Sequence, residues 1–330
     1  MVLLFLFVPL ATRSVNDTDR LALFAFKDKI TQDPLRVMSL WNNIVHFCNW
    51  TGVTCSPVHH QRVKMLKLDS LKLVGSISPS IGNLTFLTGL SLTNNGFSGE
   101  IPEELGCLLQ LKTIVLSSNS LEDQLSSLTK LVYFDLSTNH FTRNIPPWIG
   151  NFSELGSLIL MENSFHGRIP IELGQISLFE DFNVAINMLS GTVPSSLYNS
   201  SSFRFFSVAG NYLEGRLPPN IGVALPILQE FHGGLNNFTG PIPASFSNIS
   251  GLQYLDLPNN SFTGLVPTKL GTLQGLINLN FKNNHLGSGH DEANELNVLA
   301  YFTNCTNLRL LSLTNILVVL YPSSFEICEN

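Results

Sequence analysis

The sequence predicts an α/β solenoid: a right-handed superhelix of stacked coils with a parallel β-sheet on its concave face and a helical cap at its N-terminus. Three observations predict it: a repeat of 24 residues from Leu87 to Leu276, an alternation of leucine with polar residues inside each cycle, and a non-repetitive segment in front of the array. One coil of this length cannot bury its leucines alone, so the coils must stack and share one core.

Each cycle follows the frame Leu-x-x-Leu-x-Leu-x-x-Asn-x-Leu/Phe-x-Gly-x-Ile/Val-Pro. The segment Leu255-Asp256-Leu257 alternates apolar and polar residues, which predicts a short strand that turns its leucines inward. Glycine and proline, a few residues later, predict a bend and then a second extended stretch. This frame is typical of leucine-rich repeats.

An asparagine occupies the ninth position of almost every cycle, where the predicted strand turns away from the sheet. Its amide can bond to backbone groups that the sheet leaves unpaired, so we predict a structural role. The predicted ladder is Asn95, Asn119, Asn139, Asn163, Asn187, Asn211, Asn236, Asn260 and Asn284.

The repeats and the segment before them resemble the ectodomains of plant leucine-rich-repeat receptor-like kinases. The repeat half from Phe97 to Gly106 has the plant-type sequence. The cap contains a helix-forming run from Asp17 to Lys27, then Leu40-Trp41, and a paired-cysteine segment from Cys48 to Cys55. The likeness covers residues 17 to 315, is greatest to the immune-receptor subfamily, and implies a disulfide between the two cap cysteines.

The sequence divides into one cap and one array. Residues 1–15 are predicted to be a signal peptide because they begin with an apolar run. Residues 16–61 are the cap, residues 62–307 are about ten repeats, and residues 308–330 are a degraded or truncated final repeat. No apolar stretch reaches the roughly 20 residues of a membrane span. The resemblance therefore implies an ectodomain that ends before the transmembrane and kinase segments.

Two cycles depart from the frame. The cycle that starts at Leu111 is short and lacks the Gly-x-Ile-Pro bend, so we expect its second extended stretch to be lost. The cycle that starts at Leu276 is long, and its polar insertion around Gly287 predicts a surface loop or a helix-containing flank.

Glycosylation sequons, the apolar N-terminus and the paired cysteines together predict an extracellular protein. The location is either the secreted pool or, for a longer receptor, the outer face of the plasma membrane. Several sequons recur at one place in the repeat, away from the strand, so glycans would leave the strand face open. The predicted acceptors are Asn49, Asn83, Asn151, Asn199, Asn237, Asn248, Asn259 and Asn304.

Composition and motifs argue against several function classes. Charged residues make up 13% of the chain and its net charge is −6, so it has no basic stripe for nucleic acid. It contains no HExxH motif, nucleophile elbow or phosphate loop, so we expect no enzymatic activity and no cofactor. His46 and His59 lie near the cap cysteines, but their spacing fits no zinc pattern and we expect no metal.

The side chains that flank the inward leucines should line the concave face. Acidic residues dominate the middle coils, and aromatic residues there offer flat anchors, which predicts an extended, basic or polar peptide as ligand. The candidate ligand-binding residues are Tyr133, Asp135, Glu162, Asp181, Asn183, Phe205, Ser207, His232, Tyr254 and Asp256.

Two functions remain open. The first is the ligand-binding ectodomain, or an ectodomain fragment, of a plant receptor-like kinase in defence signalling, with a peptide or protein ligand and a co-receptor kinase as partners. The second is a secreted inhibitor of a pathogen cell-wall hydrolase, resembling the polygalacturonase-inhibiting proteins.

Overall fold

The computed structural model describes residues 15–59, 61–122, 130–287, 300–303 and 305–313. Residues 1–14 of the predicted signal peptide, residues 288–299 of the predicted insertion, the acceptor Asn304 and residues 314–330 lie outside the described residues.

A long sheet forms one face of the described array and confirms the predicted solenoid. Its neighbouring strands are all parallel except the first pair, in the cap, which is antiparallel. Equivalent residues align from coil to coil: Leu158 pairs with Phe134 on one side and with Phe182 on the other. In sheet order the strands are Val53–Cys55, Val63–Lys67, Gly89–Ser91, Thr113–Val115, Tyr133–Asp135, Ser157–Ile159, Asp181–Asn183, Phe205–Ser207, Glu230–His232, Tyr254–Asp256, Asn278–Asn280 and Leu310–Ser312.

The second extended stretches form two smaller sheets along the side of the array. One contains Ile30–Gln32, Val74–Gly75, Gly96–Glu100 and Ser120–Glu122; the other contains His166–Gly167, Met188–Thr192, Tyr212–Gly215, Asn237–Pro241, Ser261–Gly264 and His285–Leu286. The expected loss of this stretch in the short cycle was wrong for its first residues, since Ser120–Glu122 is a strand. Residues 123–129 lie outside the described part.

The interruption between these side sheets falls one coil later, at Arg143. The frame has glycine at this position, and Gly99 and Gly167 adopt positive φ angles of 81° and 75° there. Arg143 does not adopt a positive φ, which a residue with a Cβ rarely does. On this side of the array, an isolated bridge between Asn144 and His166 takes the place of a paired strand between this coil and the next.

Short 3-10 helices form the convex side of the array. Proline precedes most of them and fixes φ at the turn. They are Pro79–Asn83, Glu103–Cys107, Pro147–Asn151, Ile171–Gln175, Leu197–Asn199, Ala244–Asn248 and Thr268–Thr272, with the short α-helix Ile221–Ala224 in one coil. Glycine is required here: a Cβ on Gly222 would overlap the backbone of Ser245 in the next coil.

The core is one continuous column of leucine and phenylalanine. Leu158, Leu255 and Leu279 have no exposed surface and belong to the same apolar cluster. In the middle coils the column is aromatic: the rings of Phe206 and Phe231 stack with centroids 5.4 Å apart and an interplanar angle of 4°.

The cap covers the open end of the first coils with an α-helix, Val15–Lys27. Its Leu23 and Phe26 are fully buried. The 3-10 helices Met38–Leu40 and Phe47–Asn49 follow, and the implied Cys48–Cys55 disulfide is present, with the Cα atoms 5.4 Å apart. The cap is therefore packed into the same core as the array.

A buried ion pair fastens the cap helix to the first repeat. Asp19 is fully buried, and its carboxylate accepts hydrogen bonds from Arg62 Nε at 3.0 Å, from Arg62 Nη2 at 2.6 Å and from the backbone N–H of Val63 at 2.8 Å. Arg62 also donates to Thr85 Oγ1 and lies 4.7 Å from the ring centroid of Phe86. The pair is thus held by several partners on both sides.

Every asparagine of the predicted ladder bonds to the backbone of its own coil and of the preceding one. Asn260 is representative: its Nδ2 donates to the carbonyls of Gly233, Leu257 and Pro258, and its Oδ1 accepts from the N–H of Phe238 at 2.9 Å. The side chain therefore supplies the hydrogen bonds that the end of the sheet lacks.

Replacing Asn260 with alanine is expected to lower the free energy of unfolding by about 1–3 kcal/mol, because buried backbone groups would lose their partner. Urea denaturation followed by circular dichroism would measure it. Asn220→Ala is the matched control, since Asn220 is exposed and makes no capping hydrogen bond. Equal midpoints for the two variants would argue against the ladder's structural role.

Candidate ligand-binding face

The strands of the long sheet present two aligned rows of side chains on the concave face. In each three-residue strand the middle residue points into the core, and its two neighbours point outward. The first row runs Tyr133, Ser157, Asp181, Phe205, Glu230, Tyr254 and Asn278; the second runs Asp135, Ile159, Asn183, Ser207, His232, Asp256 and Asn280. Neighbouring members of a row are about 4.8 Å apart.

Nine of the ten candidate residues lie in these two rows, and Glu162 does not. It follows the strand Ser157–Ile159 by three residues and adopts a φ of 53°. The residue before the ladder asparagine turns in the same left-handed way in several coils, as at Thr138 and Asn259. Glu162 is exposed at the edge of the face, where its carboxylate accepts a hydrogen bond from Thr138 Oγ1 at 2.7 Å.

Two further candidates are largely buried. Asp135 is 9% exposed, and one of its oxygens accepts hydrogen bonds from the N–H and the hydroxyl of Ser137. Ser207 is 4% exposed. Both side chains therefore offer a ligand much less surface than their neighbours in the rows.

An aromatic cluster occupies the middle of the face. The His232 ring lies between Phe205, at a centroid distance of 5.4 Å, and Tyr254, at 6.3 Å. Its Nε2 is 3.0 Å from a carboxylate oxygen of Glu230. Glu230 was absent from the candidate set, although it shares a row with Asp181 and Phe205, and this register would have identified it.

A shallow groove of about 390 Å³ opens beside this cluster. Phe205 and Ile159 provide its apolar surface, and Asp181 and Glu230 provide carboxylates. The remaining lining residues are Asn183, Arg204 and Gln229. Aromatic and charged groups therefore converge in this groove.

Acidic neighbours and partial burial perturb two titratable groups of the face. Burial, with smaller contributions from Asp135 and Asp181, raises the pKa of Tyr133. Burial also raises the pKa of Asp256, although a hydrogen bond from Asn280 and the nearby His232 oppose the shift. Both side chains are therefore partly shielded from water.

Replacing Asp256 with asparagine is expected to stabilise the protein at pH 7. Because its pKa is raised, ionised Asp256 destabilises the folded state above that pKa, and the cost disappears as the pH falls toward the unfolded value near 3.9. The variant keeps an acceptor for Asn280. Its advantage in urea midpoint should shrink from neutral pH toward about pH 4, whereas an advantage that grows on acidification would contradict the assignment.

The described glycosylation acceptors are exposed and lie away from the two rows. Four of them end convex 3-10 helices: Asn83, Asn151, Asn199 and Asn248. The exposed Asn49 lies in the cap, Asn237 begins a side strand and Asn259 lies in a turn beyond the sheet. Glycans at these positions would leave the concave rows accessible.

Within the described ranges, no helix is both long and apolar enough to cross a bilayer. The same residues contain no group of three or more histidine, cysteine, aspartate or glutamate side chains arranged to hold a metal ion.

Comparison with protein families identifies the cap and the repeats separately. Residues 16–56 match the family described as Leucine rich repeat N-terminal domain. Residues 86–108, 130–152 and 251–273 match the family described as Leucine Rich Repeat. These assignments agree with the cap and the array of the structure.

Several proteins that are similar to this chain come from plants. The LRR receptor-like serine/threonine-protein kinase EFR of Arabidopsis thaliana is 46% identical over 101 residues, which is 30% of this chain and 10% of that protein. The structure of the Arabidopsis receptor kinase HAESA, with the peptide hormone IDA and the co-receptor SERK1, aligns with a TM-score of 0.76 and 29% identity over 82% of this chain and 46% of that one. A plant ice-binding protein aligns with a TM-score of 0.74 and 28% identity over 82% of this chain and 88% of that one.

The chain thus matches only part of the receptor proteins it is similar to. Its cap and three of its repeats match leucine-rich-repeat families, and its fold is similar to that of a plant leucine-rich-repeat receptor kinase ectodomain.

Proposed function

We propose that the concave face from Tyr133 to Asp256 binds an extended, basic peptide, and that the chain serves as the ligand-binding ectodomain, or part of one, of a plant receptor-like kinase. The observation that carries the proposal is the first of the two aligned rows, in which carboxylates and aromatic rings alternate on neighbouring strands from Asp181 through Phe205 and Glu230 to Tyr254. An aromatic anchor with flanking charge is the usual core of a peptide-binding surface.

The size of the face suits a short peptide. Six strands, from Tyr133–Asp135 to Tyr254–Asp256, span about 24 Å at a spacing of about 4.8 Å. An extended chain advances about 3.3 Å per residue, so roughly seven residues would cross this part of the sheet. The ligand would then direct one side chain toward the sheet every one or two coils.

The charge of the face favours a basic ligand. Asp181, Glu230 and Asp256 contribute carboxylates to the rows, whereas Arg204 at the rim is within 3.8 Å of Glu180. Complementary charge accelerates encounter and excludes ligands of the wrong sign. Binding is therefore expected to weaken as the salt concentration rises.

We also propose that the chain acts in defence signalling, that it is extracellular and that a co-receptor kinase is its partner. EFR, to which this chain is similar, is a receptor-like kinase. The HAESA structure contains a peptide hormone and a co-receptor. The Cys48–Cys55 disulfide and the exposed sequons support an oxidising, secretory environment.

Replacing Tyr133, Asp181, Phe205 and Tyr254 together with alanine is expected to weaken peptide binding at least tenfold, because anchors of this kind each contribute more than about 1 kcal/mol. The secreted, glycosylated chain would be screened against synthetic seven- to twelve-residue peptides of graded charge, and the dissociation constants of the hits compared with those of the variant.

A convex variant provides the control. Alanine at Leu109, Ile171 and Val223 removes exposed apolar side chains from the other side of the array. It should bind as the unmodified chain does. If the concave variant retains full affinity for every hit, the proposed surface is wrong. Cell-wall hydrolases are included in the screen, and binding of one of them would indicate an inhibitor instead.

A further inference from the structure

The groove on the concave face is built around one side of the Phe205 ring. Phe205 is half-buried, and His232 lies against it at a centroid distance of 5.4 Å. Phe205 also lines the groove together with Ile159 and Asn183, so part of its ring remains available to a ligand. A flat aromatic surface beside carboxylates favours a planar cation.

Two carboxylates flank this ring on the neighbouring strands. Asp181 pairs with Phe205 on one side of it and Glu230 pairs with Phe205 on the other, which places the two acids about 10 Å apart at their Cα atoms. Asp181 Oδ2 accepts a hydrogen bond from Ser157 Oγ at 2.8 Å, and Glu230 Oε2 is 3.0 Å from His232 Nε2. In each carboxylate one oxygen is held by a neighbour, and the other is available to a ligand.

The groove has an excess of negative charge. Arg204 is its only cationic lining residue among those described, and its Nε lies 3.8 Å from Glu180 Oε2. This exposed pair is neutral as a whole. Among the described residues Asp181 therefore has no cationic partner, and Glu230 is paired only with the imidazole of His232, at 3.0 Å.

We infer that this groove is the subsite for an arginine side chain of the ligand, with the guanidinium stacked on Phe205 between Asp181 and Glu230. The inference rests on the proposed function. A guanidinium stacks on aromatic rings and presents several donors in one plane, so it can meet a carboxylate on either side. A lysine ammonium is a compact, strongly hydrated charge and would match the flat ring less well.

The test uses seven-residue synthetic peptides that bind the chain and differ at one position, which carries arginine, lysine, citrulline or norleucine. Citrulline keeps the shape of arginine without its charge. The arginine peptide is expected to bind about tenfold more tightly than the citrulline peptide. Asp181→Asn, which can still accept from Ser157, should reduce that ratio to about two, as should Glu230→Gln. Glu103→Gln makes the same charge change on the convex side and should leave the ratio unchanged.

The outcomes separate the two proposals. Suppose that peptides bind and that the variant with four concave alanines does not bind them. If the arginine and citrulline peptides then bind the unmodified chain equally, only the arginine subsite is overturned. An arginine preference that persists in both Asp181→Asn and Glu230→Gln also overturns the subsite. If no peptide binds to the concave face, the proposed function fails and the subsite with it. Matching urea midpoints for the variants and the unmodified chain would show that the differences arise from contact and not from unfolding.

Discussion

Replacing Asp19 with alanine is expected to lower the free energy of unfolding by about 3–5 kcal/mol, because it leaves the guanidinium of Arg62 buried without its partner. Asp19 is fully buried and accepts three hydrogen bonds from Arg62 and Val63. Urea denaturation followed by far-ultraviolet circular dichroism measures the loss.

The neighbouring Asp17 is the control. It pairs with Arg20 at 3.4 Å on the same helix, where both side chains are more than 40% exposed. Such a pair contributes at most about 1 kcal/mol, so Asp17→Ala should change stability little. If the two alanine variants unfold at the same denaturant concentration, Asp19 does not fasten the cap to the array.

Replacing Phe206 with alanine is also expected to cost about 3–5 kcal/mol, since it opens a cavity in the aromatic part of the core. The fully buried Phe206 ring lies 5.3–5.7 Å from the rings of Phe182, Phe203, Phe231 and Tyr198. Scanning calorimetry and urea denaturation would both report the change.

The adjacent residue, Phe205, provides the surface control for Phe206. Phe205 is next in the chain but points to the concave face and is only half-buried. Phe205→Ala should cost less than about 1 kcal/mol while weakening peptide binding. Equal destabilisation by the two variants would mean that the strand's two faces are assigned incorrectly.

The repetitive features of the fold could be predicted from the sequence because they depend on spacing alone. Leu255 and Leu257 are buried and Asp256 faces outward, as the alternation predicted. Asn260 donates a hydrogen bond to the backbone carbonyl of Gly233, as its position after the strand predicted. Such features recur in every coil, so each cycle supports the interpretation of the others.

Features that depend on backbone dihedrals or on contacts distant in sequence could not be predicted in this way. Glu162 was assigned to the concave face, but its left-handed φ turns the chain away from that face. The repeat pattern contains no information about this dihedral angle. The Asp19–Arg62 pair joins residues 43 positions apart, and no repeat relates them. Arg143 is an intermediate case: the missing glycine is visible in the sequence, but its effect on the side sheet is not.

The fold alone does not determine what the concave face recognises. HAESA, solved with a peptide hormone, and a plant ice-binding protein both align with this chain at similar TM-scores. The proposal therefore depends on the particular side chains of the middle coils, among them Asp181, Phe205 and Tyr254, and on their exposure in one register.

Peptide binding on the concave strands is tested most directly by hydrogen–deuterium exchange of the chain with and without a peptide, read by mass spectrometry. We expect added protection in the segments from Tyr133–Asp135 to Tyr254–Asp256 and none in convex segments such as Ile171–Gln175. Protection confined to the convex helices or the cap, with the concave strands unchanged, would contradict it.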